Sequence, residues 1–182
     1  MKDVTSDNFG LLIAYVLPGF TVLWGLSFVS TTVQSWIGAT DLDSPTIAGF
    51  LYVTVASVGL GMTVNAMRWL VIDRIHHQTG IRPPEWDFSR LGERVAAFQV
   101  VVDHQYRHYQ FYATSVLALP IAQLFRWSAI GFRLLEFIVT LSLVALFFAG
   151  SRDTLRKYYS RISGLFRDST DSQERLVQIG AL

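Results

Sequence analysis

The chain has no cysteine and unusually few charged residues. Without thiols it has no disulfides, no thiolate metal ligands and no cysteine nucleophile. Charged residues make up 16% of the sequence, against roughly 25% in ordinary soluble domains, and residues 8–40 and 44–67 carry no charge at all. The composition therefore argues against a water-soluble domain. The formal net charge of +1 also argues against direct binding of nucleic acid.

Four long apolar blocks occupy most of the sequence: 9–29, 46–72, 109–125 and 129–150. A helix needs about 20 apolar residues to cross a hydrocarbon core about 30 Å thick. Backbone groups in lipid must bond to one another, and long unbroken blocks favour helices over the alternating strands of a barrel. The sequence therefore predicts an all-α protein with four transmembrane helices. A buried helical hairpin of a soluble protein is the alternative.

The positive charges predict how these helices are oriented. Of the 15 Lys and Arg residues, 13 lie before the first block, at the end of the second block or between it and the third, or after the fourth. Such a bias marks the cytoplasmic side, so we expect a multi-pass protein of the cytoplasmic (inner) membrane with both termini inside. The predicted divisions are a cytoplasmic N-terminus (1–8), a first transmembrane hairpin with a short outer loop (9–72), a cytoplasmic segment (73–108), a second hairpin (109–150) and a basic amphipathic cytoplasmic tail (151–182).

Two features distinguish the first two blocks. Pro18 and Gly19 lie in the middle of the first, where a proline predicts a kink. The second contains small and polar residues spaced three or four apart, which places them on one helix face. Such a face either packs against another helix or lines a polar path through the membrane. Its residues are Thr54, Ser57, Gly61, Asn65 and Arg68.

The cytoplasmic segments predict two amphipathic helices. From Leu91 onwards apolar residues recur every three or four positions, which predicts a long helix that starts near Arg90 and continues into the third span. The tail has a similar apolar face over residues 155–166, and we expect it to be loose beyond Asp168. Basic residues beside that face are expected to lie against anionic lipid: Arg152, Arg156, Lys157 and Arg161.

All four histidines fall between the second and third blocks. Helical spacing puts Asp103, His104, Arg107 and His108 near one another, and we interpret them as an interface at the level of the lipid headgroups. The alternative is a metal site, because histidines at i and i+4 can chelate an ion from one helix face. Its ligands would be His76, His77, His104 and His108, with Asp103 nearby.

These features point to a function without catalysis. The sequence has no nucleophile elbow and no phosphate-binding loop outside the apolar spans, and we expect no cofactor. We expect a homo-oligomeric membrane module that is channel-like, permeabilises the membrane or signals, and that responds to a cytoplasmic cue or protein partner. The alternatives are a metal-dependent membrane enzyme built on the histidines and a scaffold subunit of a larger complex.

Overall fold

The computed structural model describes residues 12–38, 47–84 and 95–180, and in these ranges the regular structure is helical throughout. The all-α prediction is confirmed for this part of the chain. Its helices are α1 (Leu17–Ser27), α2 (Thr31–Ile37), α3 (Ile47–Gln78), α4 (Val95–Val101), α5 (Arg107–Ile130) and α6 (Leu134–Gly180). Within the described ranges, three wider π-helical turns interrupt the α-helical pattern: Leu12–Val16 leads into α1, Trp69–Asp73 lies within α3, and Val102–Tyr106 joins α4 to α5.

Three helical segments are long and apolar enough to cross a membrane, namely Ile47–Gln78, Arg107–Ile130 and Leu134–Phe166. The described chain therefore has the helices of a multi-pass membrane protein. The first predicted block corresponds to a shorter apolar helix, Ile13–Ser27, and the residues before Leu12 lie outside the described part. The predicted start of the long helix near Arg90 lies outside it too, but the chain is helical from Val95 to Ile130.

Helix α5 is the centre of the bundle, because it packs against α1, α3 and α6. A small apolar cluster of Val22, Val64 and Ala118 joins α1, α3 and α5 near the middle. A larger cluster lies at the end of the bundle where α3 finishes and α5 begins. Its buried members are Ile72, Ile81, Tyr109, Ala113, Val116, Leu155, Tyr158 and Ile162.

Glycines let α1 and α3 pack backbone against backbone. A methyl group on Gly19 would overlap the carbonyl oxygen of Ser57, and one on Gly61 would overlap the carbonyl oxygen of Tyr15. Small residues at a seam allow membrane helices to approach this closely. Pro18 and Gly19, where the sequence predicts a kink, lie in the first turn of α1, directly after the π-helical turn.

One expectation about local structure was wrong, and another omitted a short helix. Part of the predicted outer loop is helical, because α2 forms within it: the Ser30 hydroxyl accepts a bond from the Val33 amide, and Gly38 ends the helix at φ 69°. The tail, which we expected to be loose beyond Asp168, stays helical to Gly180. Residues 169–179 contain no proline or glycine, and several are strong helix formers.

Candidate functional site

A cluster of buried polar side chains lies at the end of the bundle where α3, α5 and α6 meet. We call it the polar junction, and it consists of Arg68, Asp73, His76, Tyr109 and Ser151. His76 and Ser151 are fully buried, and Arg68 is 3% exposed. Ionisable groups are expensive to place inside a membrane protein unless they are paired. The contacts within the junction therefore decide whether it is stable.

A carboxylate is the centre of the first half of the junction. An Arg68 nitrogen lies 3.3 Å from Asp73 Oδ1, and the Tyr109 hydroxyl donates a hydrogen bond to the same oxygen. The Arg68 guanidinium also lies over the Tyr109 ring, 5.1 Å from its centroid, close enough for a cation–π contact. Each of these three groups thus contacts both of the others, which ties α3 to α5.

The π-helical turn explains how Arg68 and Asp73 meet. In a regular α-helix, residues i and i+5 lie about 140° apart around the axis. The turn Trp69–Asp73 bonds from i to i+5, and this wider winding brings residue i+5 close to the side of residue i. The apolar residues that fill the turn gave no indication of it in the sequence.

His76 and Ser151 form the second half of the junction and join α3 to α6. His76 Nε2 lies 3.0 Å from Ser151 Oγ, and the Ser151 hydroxyl donates to the carbonyl of Phe148 at 2.8 Å. A serine hydroxyl has one hydrogen, so with that hydrogen on the Phe148 carbonyl Ser151 accepts from His76, and the His76 proton is assigned to Nε2. The imidazole also packs against the Phe148 ring, with centroids 5.1 Å apart.

A second contact joins α6 to the end of α3. Arg152 donates one hydrogen bond to Thr79 Oγ1 at 2.6 Å and another to the Thr79 carbonyl at 2.8 Å. The positive charge of Arg152 is also stabilised by the negative end of the α3 helix dipole. Arg152, predicted to face lipid, therefore binds protein here. The other predicted tail residues, Arg156, Lys157 and Arg161, are exposed.

The polar face predicted on α3 points into the bundle for most of its length. Ser57 and Gly61 are buried against the α1 side. Asn65 accepts a hydrogen bond from the Thr114 hydroxyl of α5 at 3.4 Å, and Arg68 belongs to the polar junction. Thr54 is half-buried, and its hydroxyl bonds to the carbonyl of Phe50 in its own helix.

Among the histidines whose side chains the structure describes, His76 lies in the polar junction and takes no part in a cluster of possible metal ligands. His77 is half-buried and His108 is exposed, and the side chains of Asp103 and His104 lie outside the described part. Arg107 is half-buried at the start of α5. Among the described residues, no group of three or more His, Asp or Glu side chains could hold a metal ion.

The reasoning from sequence did not place Asp73, Tyr109 and Ser151 together at this end of the bundle. Asp73 carried one usable signal, because it is the first acidic residue after a long uncharged block and it follows Arg68 closely. Ser151 carried none, since it lies 75 positions from His76.

A second polar cluster lies at the opposite end of the bundle, and we call it the hairpin cluster: Gln123, Arg126, Arg133 and Glu136. Arg126 and Gln123 bond to the two oxygens of Glu136 at 2.8 and 2.9 Å, and Arg133 lies 3.7 Å from the same carboxylate. The Arg126 guanidinium lies over the rings of Trp24 and Phe28 of the α1 end. These contacts hold the α5–α6 hairpin against α1.

At the junction Arg68, His76 and Ser151 are buried, and each contacts another member of the cluster. Comparison with protein-family models, with curated proteins and with solved structures found no match to this chain. A functional proposal therefore depends on the geometry described above.

Proposed function

We propose that this chain is a non-enzymatic, four-span protein of the inner membrane, with both termini in the cytoplasm. The distribution of Lys and Arg supports this orientation. In it, the polar junction and α4 lie at the cytoplasmic side and the hairpin cluster at the outer side. Helix α1 is the fourth span: the helical residues from Leu12 to Ser27 rise about 24 Å, and apolar sequence continues back to Phe9.

We further propose that the protein works as a mechanical relay between a cytoplasmic protein partner and the membrane. The continuity of α6 is the observation that carries this proposal. The helix has 47 residues, so it is about 70 Å long, while the hydrocarbon core is about 30 Å thick. More than half of α6 therefore extends beyond the core as one rigid rod.

The polar junction is placed to receive movement of that rod. Ser151 and Arg152 contact α3 at the point where α6 changes from apolar to basic sequence. Directly beyond them, Leu155 and Ile162 are buried in the larger apolar cluster with α5. A partner that displaces the cytoplasmic end of α6 thus pulls on the contacts that hold α6 to α3 and α5. We expect the result to be a change in membrane permeability or in the activity of a bound signalling protein.

The chemistry of the junction suits a two-state device. Asp73 is shared by Arg68 and Tyr109, and His76 is bonded to Ser151. Leaving one member of a buried pair without its partner costs about 3–5 kcal/mol, so partly separated arrangements are disfavoured. Packed interfaces of this kind change between discrete arrangements rather than deforming gradually.

A substitution at Gly164 in α6 offers a direct test of the relay. No atom lies within 4 Å of the position where its β-carbon would be, so Gly164→Ala fits and keeps the rod, whereas Gly164→Pro breaks it. We expect expression of the natural chain in bacteria to increase uptake of an impermeant dye or to allow crosslinking of a cytoplasmic partner. Gly164→Pro should reduce that effect several-fold, and Gly164→Ala should preserve it. Equal effects of the two variants would contradict the relay.

The proposal includes self-association and, in one version, a channel. The membrane part of α6 has few protein contacts of its own, since only 6% of its most apolar window is buried, and a second copy can supply them. A strictly monomeric mass in mild detergent would contradict the homo-oligomer. For the channel version, Asn65→Leu should alter conductance, and unchanged conductance would exclude it.

A further inference from the structure

An apolar groove runs between α5 and α6, well away from the polar junction. Its volume is about 260 Å³, and its walls include Pro120, Gln123 and Trp127 from α5 and Phe137, Leu141 and Val144 from α6. The groove starts beside the hairpin cluster, because Gln123 belongs to both. It has no place in the relay proposed above, although it lies on the same helix.

The depth of the groove matches one leaflet of a bilayer. Pro120 lies ten residues before the end of α5 at Ile130, and Val144 lies ten residues after the start of α6 at Leu134. Ten helical residues rise about 15 Å, which is half of a hydrocarbon core of about 30 Å. A chain that enters beside the hairpin therefore reaches the middle of the membrane where the groove ends.

The walls of the groove favour a hydrocarbon occupant over water. The side chains of Phe137, Leu141 and Val144 offer no polar atoms, and the Gln123 amide is already bonded to Glu136 at 2.9 Å. The Thr140 hydroxyl and the Trp127 indole N–H are the other polar groups of the walls, but the surface that lines the groove is almost entirely apolar. A buried water needs two to four polar partners to be stable in such a place. An acyl chain needs only apolar contact and is present at high concentration around any membrane helix.

The mouth of the groove carries a positive charge suited to a phosphate. The hairpin cluster combines Arg126 and Arg133 with one carboxylate, Glu136. Arg126 is already held by Glu136, but the Arg133 side chain is 63% exposed, and its 3.7 Å contact with Glu136 is long. Exposed pairs of this kind contribute little, whereas a guanidinium binds phosphate oxygens with two parallel hydrogen bonds. Arg133 is thus available to a headgroup.

We propose that this groove is a binding site for an anionic phospholipid, with one acyl chain between α5 and α6 and the phosphate on Arg133. The proposal rests on the insertion of the chain into a membrane. The bound lipid adds contacts between α5 and the sparsely packed membrane part of α6, and so it stabilises the hairpin.

Native mass spectrometry of the full chain in mild detergent tests the site. The probes are phosphatidylglycerol and phosphatidylcholine with the same acyl chains. We expect the natural chain to retain phosphatidylglycerol at severalfold lower lipid concentration than phosphatidylcholine, because both lipids carry a phosphate but the choline cation of phosphatidylcholine offsets its negative charge beside Arg133. Leu141→Trp should fill the groove and abolish retention of both lipids. Val139→Trp is the matched control, because Val139 is 51% exposed and lies outside the groove.

Arg133→Gln tests the headgroup separately, on a side chain exposed enough to leave folding unaffected. It should remove the preference for phosphatidylglycerol and leave binding of the acyl chain. Retention of lipid by Leu141→Trp, equal retention of the two lipids by the natural chain, or an unchanged preference in Arg133→Gln would each overturn the proposal. If Leu141→Trp retains lipid but no longer forms a dimer, the groove is filled by a second copy of the chain, and the proposal is also overturned. A natural chain absent from the membrane fraction contradicts the proposed function instead.

Discussion

Helix α1 and the membrane part of α6 have similar apolar composition but opposite surroundings. In α1, Val22 and Leu23 are almost fully buried, and Gly19 contacts the backbone of α3. In α6, Leu135 and Leu146 are 73% and 64% exposed. Apolar sequence thus identifies a membrane helix, but it does not say whether protein or lipid surrounds it. The small residues make that distinction, because α1 has two glycines in its seams and residues 134–149 have none.

The largest effect is expected where α1 and α3 touch. Gly61→Leu would drive a side chain into the backbone of Tyr15, which has no room to move aside, so we expect the folded bundle to be lost. Gly59→Leu, two residues away, is the control, because no atom lies within 4 Å of its added β-carbon. Detergent-resistant folded protein, measured by size-exclusion chromatography, checks both. If Gly61→Leu elutes as a folded protein like Gly59→Leu, the backbones of Gly61 and Tyr15 do not pack as closely as described.

The buried ion pair of the junction should give the next largest effect. Asp73→Leu leaves the Arg68 charge buried without its partner and should lower the free energy of unfolding by about 3–5 kcal/mol. The exposed pair of Lys157 and Asp153 provides the control, since both side chains are more than half exposed, and Asp153→Leu should change little. Thermal unfolding in detergent measures both. The double variant Arg68→Met with Asp73→Leu should recover part of the lost stability. If it recovers none, the unpaired charge of Arg68 is not the cause of the loss.

The two parts of α6 should respond differently to the same substitution. Leu155 is 2% exposed in the larger apolar cluster, so Leu155→Ala should cost about 2–5 kcal/mol of unfolding free energy. Leu135 is 73% exposed, and Leu135→Ala should cost much less, because in the proposed membrane arrangement lipid fills the space that the side chain leaves. Equal losses in unfolding experiments would mean that the membrane part of α6 is packed against protein.

The smallest effect is expected at a serine. Ser151→Ala leaves the His76 Nε2 hydrogen buried without an acceptor and should cost about 1–3 kcal/mol. Ser142 is the matched control, since it also bonds to a carbonyl of α6 but is exposed; Ser142→Ala should leave the unfolding temperature unchanged. A neutral Ser151→Ala would show that the contact with His76 contributes nothing to stability.

Local composition predicted the long helices, and contacts between distant residues escaped it. The lengths of the apolar blocks located α3, α5 and α6. The three- and four-residue spacing of small and polar residues placed Ser57 and Gly61 on one face of α3. The junction could not be predicted, because its pairs join residues as far apart as His76 and Ser151 and because a π-helical turn aligns Arg68 with Asp73. Helix α2 was missed because its seven residues lie in a gap that charge and hydropathy mark only as non-membrane.

The central claim is a four-span arrangement with the polar junction on the cytoplasmic side, and cysteine labelling tests it most directly. The chain has no cysteine, so each single substitution gives one reactive site. The exposed positions Ser35, Ser128, Gln78 and Ser160 sample both ends of the bundle. With an impermeant maleimide on right-side-out spheroplasts, Ser35→Cys and Ser128→Cys should react at once, and Gln78→Cys and Ser160→Cys only after permeabilisation. Labelling of Ser35→Cys only after permeabilisation would show that α1 does not span the membrane and would contradict the account.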